Sequence, residues 1–547
     1  MQATKGSATA GAREMPEWAL PAGIERTALT ETRPISAIAC LLLLELALPA
    51  HAQVELPTAP LQPRIVNGLP THDYPSTAAL MEGTSSIQFC SAVLVGCETV
   101  LTAAHCVCLE DGSQCQTGGS ALLDPANLKV FLPHAGFFSV ADISVPPDFE
   151  FGVREDVAIL TLTEPVTGIT PSRLNTIARL AEGSRAEIVG FGTATEAPFD
   201  NGIKRAGEIE TTSCDIVDGG QYICWDFIDP LGAPGTDANT CMGDSGGPLF
   251  DDFGSGNVVA GLGSGGVRTD CQTDDSPFNL DIFANRNWIL ATGGADLEVG
   301  ECGDLPPVGG PGAITIDHSG DLDSVADTVD HTFEVPAGTH SLRVALNGEE
   351  GLFFNDFDLE LSPGAPPPTG PAACTSTLSG TFEFCEIAEP AAGTWNARVL
   401  GLSGEGEYQL TIALLREVDL GPCVPDGTTL CIDDELGDGR FEVTISWDTS
   451  QAGGVAGLGQ VIELAPVGID FGGVFWFFDA RNPEILFKVL NACSVNGHYW
   501  VFWSAGTNVR LVITVLDRKT GHQRVYFNPD RNPAAPVTDT AAFSCPQ

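Results

Sequence analysis

Basic residues are scarce in this chain of 547 residues. Only 25 Lys and Arg residues stand against 72 Asp and Glu residues, so the formal net charge is −47 at pH 7. A surface this negative repels the phosphates of nucleic acids and anionic membrane lipids. We therefore expect no nucleic-acid partner. Hydrophobic residues make up 43% of the chain, which excludes wholesale disorder.

The apolar stretch at 35–48 is too short to cross a membrane comfortably. It follows Arg33 and precedes the segment AHA at 50–52, a pattern typical of the hydrophobic region and cleavage site of a secretory signal peptide. We expect a signal segment at 1–52 with an extended leading region, and cleavage after Ala52. The mature protein is then secreted, passing through the periplasm in transit, with no membrane partner.

Three short motifs carry candidate catalytic chemistry. CMGDSGGP at 241–248 presents Ser245 in a glycine-rich turn, TAAHC at 102–106 presents His105, and DVAIL at 156–160 presents Asp156. A serine hydroxyl needs a base to remove its proton before it becomes a good nucleophile, and a carboxylate orients that base. The chain order His, Asp, Ser resembles that of the trypsin-like (chymotrypsin-fold) serine proteases.

The resemblance implies a serine endopeptidase that acts on protein or peptide substrates and needs no cofactor and no metal. Catalysis is then expected from His105, Asp156 and Ser245, with the oxyanion bound by the backbone N–H groups of Gly243 and Ser245. RIVNG at 64–68 resembles the activation site of the family, which is cut after the arginine. The freed ammonium of Ile65 is expected to pair with Asp244 and order the oxyanion loop.

The specificity pocket departs from that of trypsins. Asn239 stands where trypsins carry an aspartate, followed by Thr240, and the segment GLGSGG at 261–266 has a glycine where the family normally has tryptophan. Ser264 and Gly266 are expected to bind an extended substrate, and Phe278 to shorten the pocket. We expect no strong preference for Arg or Lys, and hence activation at Arg64 by another, arginine-specific protease.

Cysteines are numerous. Removing Cys40 with the signal segment leaves 16 of the 17, an even number that favours disulfides in an exported protein. A zinc site made by Cys106, Cys108 and Cys115 is a less favoured alternative. The family resemblance implies the bridges Cys90–Cys106, Cys214–Cys224 and Cys241–Cys271. Further plausible pairs are Cys374–Cys385, Cys423–Cys431 and Cys493–Cys545, whereas Cys97, Cys108, Cys115 and Cys302 stay unassigned.

The remaining sequence divides by composition. We expect a propeptide at 53–64, a protease domain at 65–295, a Pro- and Gly-rich linker at 296–312, a β-sandwich at 313–415 and a β-rich module of unknown function at 416–547. The segments at 333–338, 356–361 and 390–395 resemble the bacterial pre-peptidase C-terminal domain. Asp356 and Asp358 are candidate calcium ligands there, although we favour a solvated acidic turn.

The predicted fold class is therefore all-β: a double β-barrel, a β-sandwich and a second β-rich domain. Aromatic runs at 475–478 and 498–503 either grip a polymer or fill a core, and core filling is favoured. A different class of function stays open, in which the C-terminal domains bind or adhere to a surface and the protease domain is secondary.

Overall fold

A computed structural model describes residues 65–545. The expected signal segment, the propeptide with Arg64, and Cys115 lie outside the described residues. Undescribed gaps within the range are 84–86, 109–121, 195–199, 252–257, 269, 299–301, 304, 352–354, 367–369, 417, 434–438, 450, 452–454, 465–467, 469 and 529.

The first region forms two antiparallel barrels from short strands that are rich in β-branched residues. Its strands are β1 Leu69–Pro70, β2 Thr77–Glu82, β3 Ile87–Leu94, β4 Thr99–Thr102, β5 Leu128–Leu132, β6 Gly136–Ser144, β7 Ala158–Leu162, β8 Arg173–Leu174, β9 Arg185–Gly190, β10 Arg205–Thr212, β11 Tyr222–Trp225, β12 Pro248–Phe250, β13 Val258–Gly265 and β14 Phe278–Asp281. Short 3₁₀ helices span Ala104–Val107, Pro125–Asn127 and Gly294–Glu298, and helix α1 spans Ile282–Gly293.

Strands β2, β3, β4, β7, β6 and β5 close the first barrel in that order. The second is an eight-stranded sheet ordered β1-β10-β11-β14-β13-β12-β9, in which β10 also pairs with β9 and β8 pairs with β13. Helix α1 follows β14, capped by the Asp281 carboxylate. The Cys97–Cys302 disulfide ties the segment after α1 back to the first barrel, and thereby pairs two of the unassigned cysteines.

The strands of the next region are β15 Ala313–Leu322, β16 Thr328–Val335, β17 Ser341–Gly348, β18 Asp356–Pro363, β19 Cys374–Ser376, β20 Glu383–Ala388, β21 Gly393–Ser403 and β22 Gly406–Leu415. They form a sandwich of two four-stranded sheets, ordered β15-β22-β17-β20 and β16-β21-β18-β19. Alternating side chains fill the space between the sheets, including Trp395 and Tyr408. The Cys374–Cys385 disulfide lies in this sandwich.

The strands of the last region are β23 Leu430–Ile432, β24 Phe441–Thr449, β25 Val455–Leu458, β26 Gln460–Glu463, β27 Gly472–Trp476, β28 Ile485–Ala492, β29 His498–Ala505, β30 Arg510–Asp517, β31 Gln523–Asn528 and β32 Val537–Ser544. They form two five-stranded sheets: one is ordered β23-β24-β30-β31, with β25 also paired to β24, and the other is ordered β26-β27-β28-β29-β32. The short helix α2 spans Cys493–Asn496 and turns β28 into β29 through Gly497, whose φ is +80°. The Cys423–Cys431 and Cys493–Cys545 disulfides lie here.

Aromatic side chains of the last region mostly face its core. Phe475, Tyr499 and Trp503 are buried, whereas Phe478 is 53% exposed. The alternation of buried and partly buried residues along β30 follows the period of two expected of a strand with one face inward. The predicted all-β class is confirmed, and the described residues contain no helix that is long and apolar enough to cross a membrane.

Candidate active site

His105 and Asp156 meet at one edge of the first barrel. His105 lies in the 3₁₀ helix that follows β4, and Asp156 lies just before β7, which pairs with β4 through Thr102 and Ala158. The Asp156 carboxylate accepts the backbone N–H of His105 at 3.0 Å and lies 2.8 Å from His105 Nδ1. Asp156 is fully buried. An imidazole held this way keeps Nε2 free to take a proton.

Ser264 completes the surroundings of this carboxylate. Its hydroxyl donates a hydrogen bond of 2.5 Å to Asp156 Oδ2 from the buried strand β13. The Ser264 hydroxyl therefore faces Asp156, and the expected binding of an extended substrate at Ser264 stays a prediction. The Asp156 carboxylate thus accepts three hydrogen bonds when His105 Nδ1 carries its proton.

Ser245 lies beside the Cys90–Cys106 disulfide, whose Cys106 directly follows His105 in the chain. Its carbonyl oxygen accepts the N–H of Ser91 at 2.8 Å and lies 3.6 Å from the sulfur of Cys106. The next residue, Gly246, packs so closely on β4 that an added Cβ would come within 2.1 Å of Thr102 Oγ1. Among the described residues, no hydrogen bond joins the Ser245 hydroxyl to His105.

The backbone around Gly243 offers two N–H donors. The carbonyl of Met242 accepts the N–H of Thr193 at 2.8 Å, and because a trans peptide is planar the N–H of Gly243 points the opposite way. Gly243 has a φ of +92°, which glycine adopts without strain. Within the described part of the chain, neither this N–H nor that of Ser245 donates to a protein acceptor. Such a pair can bind a developing oxyanion.

The Asp244 carboxylate points into the second barrel. It accepts the N–H groups of Gly192 at 2.7 Å and Cys241 at 2.9 Å. Burial raises the pKa of this carboxyl to about 7, although the two N–H bonds and nearby Arg205 favour its charged form. A further cation beside it would lower that pKa again.

The first described residues dock next to the same loop. Ile65 is fully buried among Ile188 and Trp225 of the second barrel, and the carbonyl of Val66 accepts the N–H of Asn239 at 3.0 Å. Docking therefore brings the start of this region against the segment that leads to Asp244.

The residue expected at the base of the pocket has a charged neighbour that the sequence analysis missed. The Nδ2 of fully buried Asn239 donates to Asp275 Oδ2 at 3.0 Å. Asp275 is 3% exposed and its other oxygen accepts three backbone N–H groups. Asn239 Oδ1 is buried and has no hydrogen-bond partner in the described residues. A buried carboxylate therefore lies directly beside Asn239.

The other expected pocket residues are Gly266, Phe278 and Thr240. An added Cβ on Gly266 would lie 2.7 Å from Asp275 Oδ2, so only glycine fits there without a shift. Phe278 packs edge-on against Tyr222 in the core of the second barrel, with ring centroids 5.1 Å apart. Thr240 is partly buried beside Asn239. The only sequence signal for Asp275 is its place between Cys271 and Pro277, in the segment that precedes β14.

The disulfides of this region include the three expected bridges, Cys90–Cys106, Cys214–Cys224 and Cys241–Cys271. Cys90, His105 and Cys106 bring their ligand atoms within 4.8 Å of one another. The two sulfurs are bonded to each other and offer no thiolate, so the alternative zinc site that used Cys106 is excluded.

Asp356 and Asp358, which were expected in a solvated turn, lie in strand β18 and are less exposed than expected. Asp358 is 8% exposed and neighbouring Glu383 is fully buried. Burial and nearby acidic groups raise the pKa of Asp358 to about 6 and that of Glu383 to about 8. In the described part of the chain, no three carboxyls here come within ligand distance of one another.

Known proteins resemble this chain in two of its regions. The family described as Trypsin matches residues 65–289, and the family described as Bacterial pre-peptidase C-terminal domain matches residues 327–401. Trypsin iota of Drosophila melanogaster is 26% identical over 225 residues, which are 38% of this chain and 79% of that protein. Trypsin of Saccharopolyspora erythraea is 29% identical over 194 residues, 32% of this chain and 76% of that protein.

Residues 65–289 therefore form a trypsin domain, residues 327–401 belong to a bacterial pre-peptidase C-terminal domain, and the chain is a serine endopeptidase of the trypsin-like type.

Proposed function

We propose that this protein is a secreted endopeptidase that hydrolyses peptide bonds through an acyl-enzyme on Ser245. The observation that carries the proposal is the doubly bonded pair of His105 and Asp156, together with the N–H groups of Gly243 and Ser245, which donate to no acceptor in the described part of the chain. The expected signal segment and the seven disulfides of the described residues support secretion.

The mechanism follows from the position of each group. The Ser245 oxygen attacks the scissile carbonyl carbon while His105 Nε2 takes the hydroxyl proton, and the carbonyl π electrons move onto oxygen. The N–H groups of Gly243 and Ser245 bind that oxyanion. His105 then gives its proton to the leaving amine, and water repeats the sequence to release the acid. Asp156 holds the imidazole tautomer and stabilises its charged form throughout.

The substrate residue before the scissile bond is proposed to be basic. Among the described residues, no cation donates to the Asp275 carboxylate and the buried Asn239 Oδ1 beside it has no partner, so both can accept from an ammonium or guanidinium. A site with unsatisfied buried acceptors favours a substrate that satisfies them. This replaces the neutral pocket expected from Asn239 alone.

Activation is proposed to occur by cleavage at Arg64–Ile65. The freed ammonium of Ile65 then pairs with Asp244, whose buried carboxyl needs a cation to stay charged at neutral pH. A basic pocket also fits Arg64 itself, so one activated molecule is able to activate the next. A separate arginine-specific protease, which a neutral pocket would require, is then unnecessary.

The experiment that tests the function is hydrolysis of a peptide amide library by chain cleaved to begin at Ile65. Wild type and the Ser245→Ala variant are compared at equal concentration. We expect turnover by wild type and none above a trace by the variant. Equal turnover by both would show that the activity does not come from this site.

A further inference from the structure

The sandwich reaches into the protease domain at Glu350, in the loop between β17 and β18. Glu350 is 7% exposed, and its carboxylate accepts the backbone N–H of Gln88 on strand β3. Its own N–H donates to the carbonyl of Asn201 at 3.1 Å. A buried carboxylate that bonds across two domains holds both sides in one geometry, because losing either partner leaves a charged or polar group unsatisfied.

Gln88 carries that contact to the oxyanion loop. Its side-chain Nε2 donates to the carbonyl of Gly243 at 2.8 Å and to that of Cys90 at 2.9 Å. Its Oε1 accepts the side-chain N–H of Asn201 at 2.9 Å, so every polar atom of the amide is used. Ser91, the second donor to the Gly243 carbonyl, lies at 2.9 Å.

The docking of the two domains is broad rather than confined to Glu350. Phe382 of the sandwich is fully buried and meets Phe131 of the first barrel edge-on, with ring centroids 5.1 Å apart. Further side-chain bonds cross the boundary from Arg343 to Thr167 O at 2.6 Å, from Asn347 to Gly202 O at 2.8 Å and from Gln409 to Thr71 O at 3.1 Å.

We propose that the sandwich is a working part of the protease, in which Glu350 is a positioning residue that holds Gln88 against the Gly243 carbonyl and so aims the oxyanion N–H groups. The inference rests on the proposed function. Because the carbonyl of Gly243 and the N–H of Ser245 flank the Asp244 residue, fixing this carbonyl limits how the loop can turn. The donors act on charge that develops in the transition state, so their loss lowers kcat more than it raises KM.

The test compares Glu350→Ala, Glu350→Gln and a matched control, Glu334→Ala, in the full chain cleaved at Ile65. Glu334 is exposed on β16, and its carboxylate accepts a hydrogen bond from the Thr394 hydroxyl of the same sandwich. We expect Glu350→Ala to lower kcat about ten-fold or more with KM changed less than about two-fold. Glu350→Gln keeps an oxygen for the Gln88 N–H and retains most of the activity. Glu334→Ala behaves as wild type.

A peptide aldehyde gives the readout that a merely structural role would not move. When the aldehyde adds to Ser245, the Oγ–C bond forms as the carbonyl π electrons move onto oxygen and the hydroxyl proton passes to His105. The former carbonyl oxygen then lies where the N–H donors are. We expect its inhibition constant to rise in parallel with the loss of kcat in Glu350→Ala. Gln88→Met, which keeps the length of the side chain but donates nothing, should lose the same factor even where Glu350→Ala folds poorly.

The outcomes separate two failures. If wild type is active and both Glu350→Ala and Gln88→Met match it in kcat and aldehyde affinity, the positioning role is overturned and the proposed function stands. If the double variant, Glu350→Ala with Gln88→Met, loses kcat by the product of the factors lost in the two single variants, Glu350 does not act through Gln88 and the inference is again overturned. If wild type itself hydrolyses nothing, the proposed function fails and the inference fails with it.

Discussion

Asn239 Nδ2 donates a hydrogen bond of 3.0 Å to Asp275 Oδ2, so the amide and the carboxylate form one buried polar pair. The pair brings a negative charge to the position where the sequence alone offers only a neutral amide. The orientation of Asn239 also matters, because its Oδ1 is left without a partner in the described residues.

Replacing Asp275 by Asn should remove the preference for basic substrates. We expect kcat/KM for peptides with Arg or Lys before the scissile bond to fall at least about 100-fold, with a smaller change for uncharged residues. Asp274→Asn is the matched control, since Asp274 is the exposed neighbour. A wild-type preference for uncharged residues before the scissile bond would contradict the basic pocket. An unchanged preference in Asp275→Asn would contradict it too.

Replacing Asp156 by Asn should lower kcat about 10⁴-fold, because an amide cannot accept from both the N–H and the Nδ1–H of His105 and favours the wrong tautomer. Ser264→Ala removes only one donor to the same carboxylate and should cost far less. Steady-state kinetics on one peptide amide check both. Comparable losses in the two variants would argue against a distinct role for Asp156.

Maturation of the purified proenzyme should depend on its own active site. The Ser245→Ala proenzyme should stay uncleaved alone and be cut at Arg64–Ile65 once a trace of active wild type is added. The Arg64→Gln proenzyme should stay uncleaved both alone and after active wild type is added. Amino-terminal sequencing measures each case, and cleavage of isolated Ser245→Ala proenzyme would show that another protease is responsible.

Two buried acidic side chains on neighbouring strands of the sandwich should make stability fall as pH rises. The folded-state pKa values of Asp358 (about 6) and Glu383 (about 8) lie above their ordinary values, so the folded state holds more protons than the unfolded chain. This contribution is complete below about pH 4 and is lost as pH rises through 8. Glu383→Gln, which cannot ionise, should show a smaller drop in melting temperature between pH 5 and pH 8. An equal drop in both proteins would contradict the assignment.

The sequence identifies the parts of this molecule that short motifs encode. His105, Asp156 and Ser245 each stand in a recognisable local pattern, and alternating apolar residues such as those of β30 indicate strands with one buried face. All three bridges implied by the resemblance are present among the disulfides of the structure. Local patterns work here because the chemistry and the strand period are both written in neighbouring residues.

Contacts between distant residues were not predictable in the same way. Asp275 is 36 positions from Asn239 and Glu350 is 262 positions from Gln88, and neither pair has a sequence spacing that announces it. The Ser264 hydroxyl likewise bonds to Asp156 over a separation of 108 positions, because the strand period fixes the face of a side chain but not the partner of its hydroxyl. Asp358 was expected in solvent and is buried by the opposing strands.

The most direct test of the central claim is covalent labelling of Ser245 by an aryl phosphonate ester carrying a basic side chain. Attack by the Ser245 oxygen forms an O–P bond and expels a phenol, and it requires His105 and the oxyanion donors together. The account predicts one adduct per chain, located at Ser245 by mass spectrometry, that forms only after cleavage at Arg64–Ile65 and slows in Asp275→Asn. Absence of an adduct on the cleaved wild-type chain, or an adduct on any other residue, would contradict it.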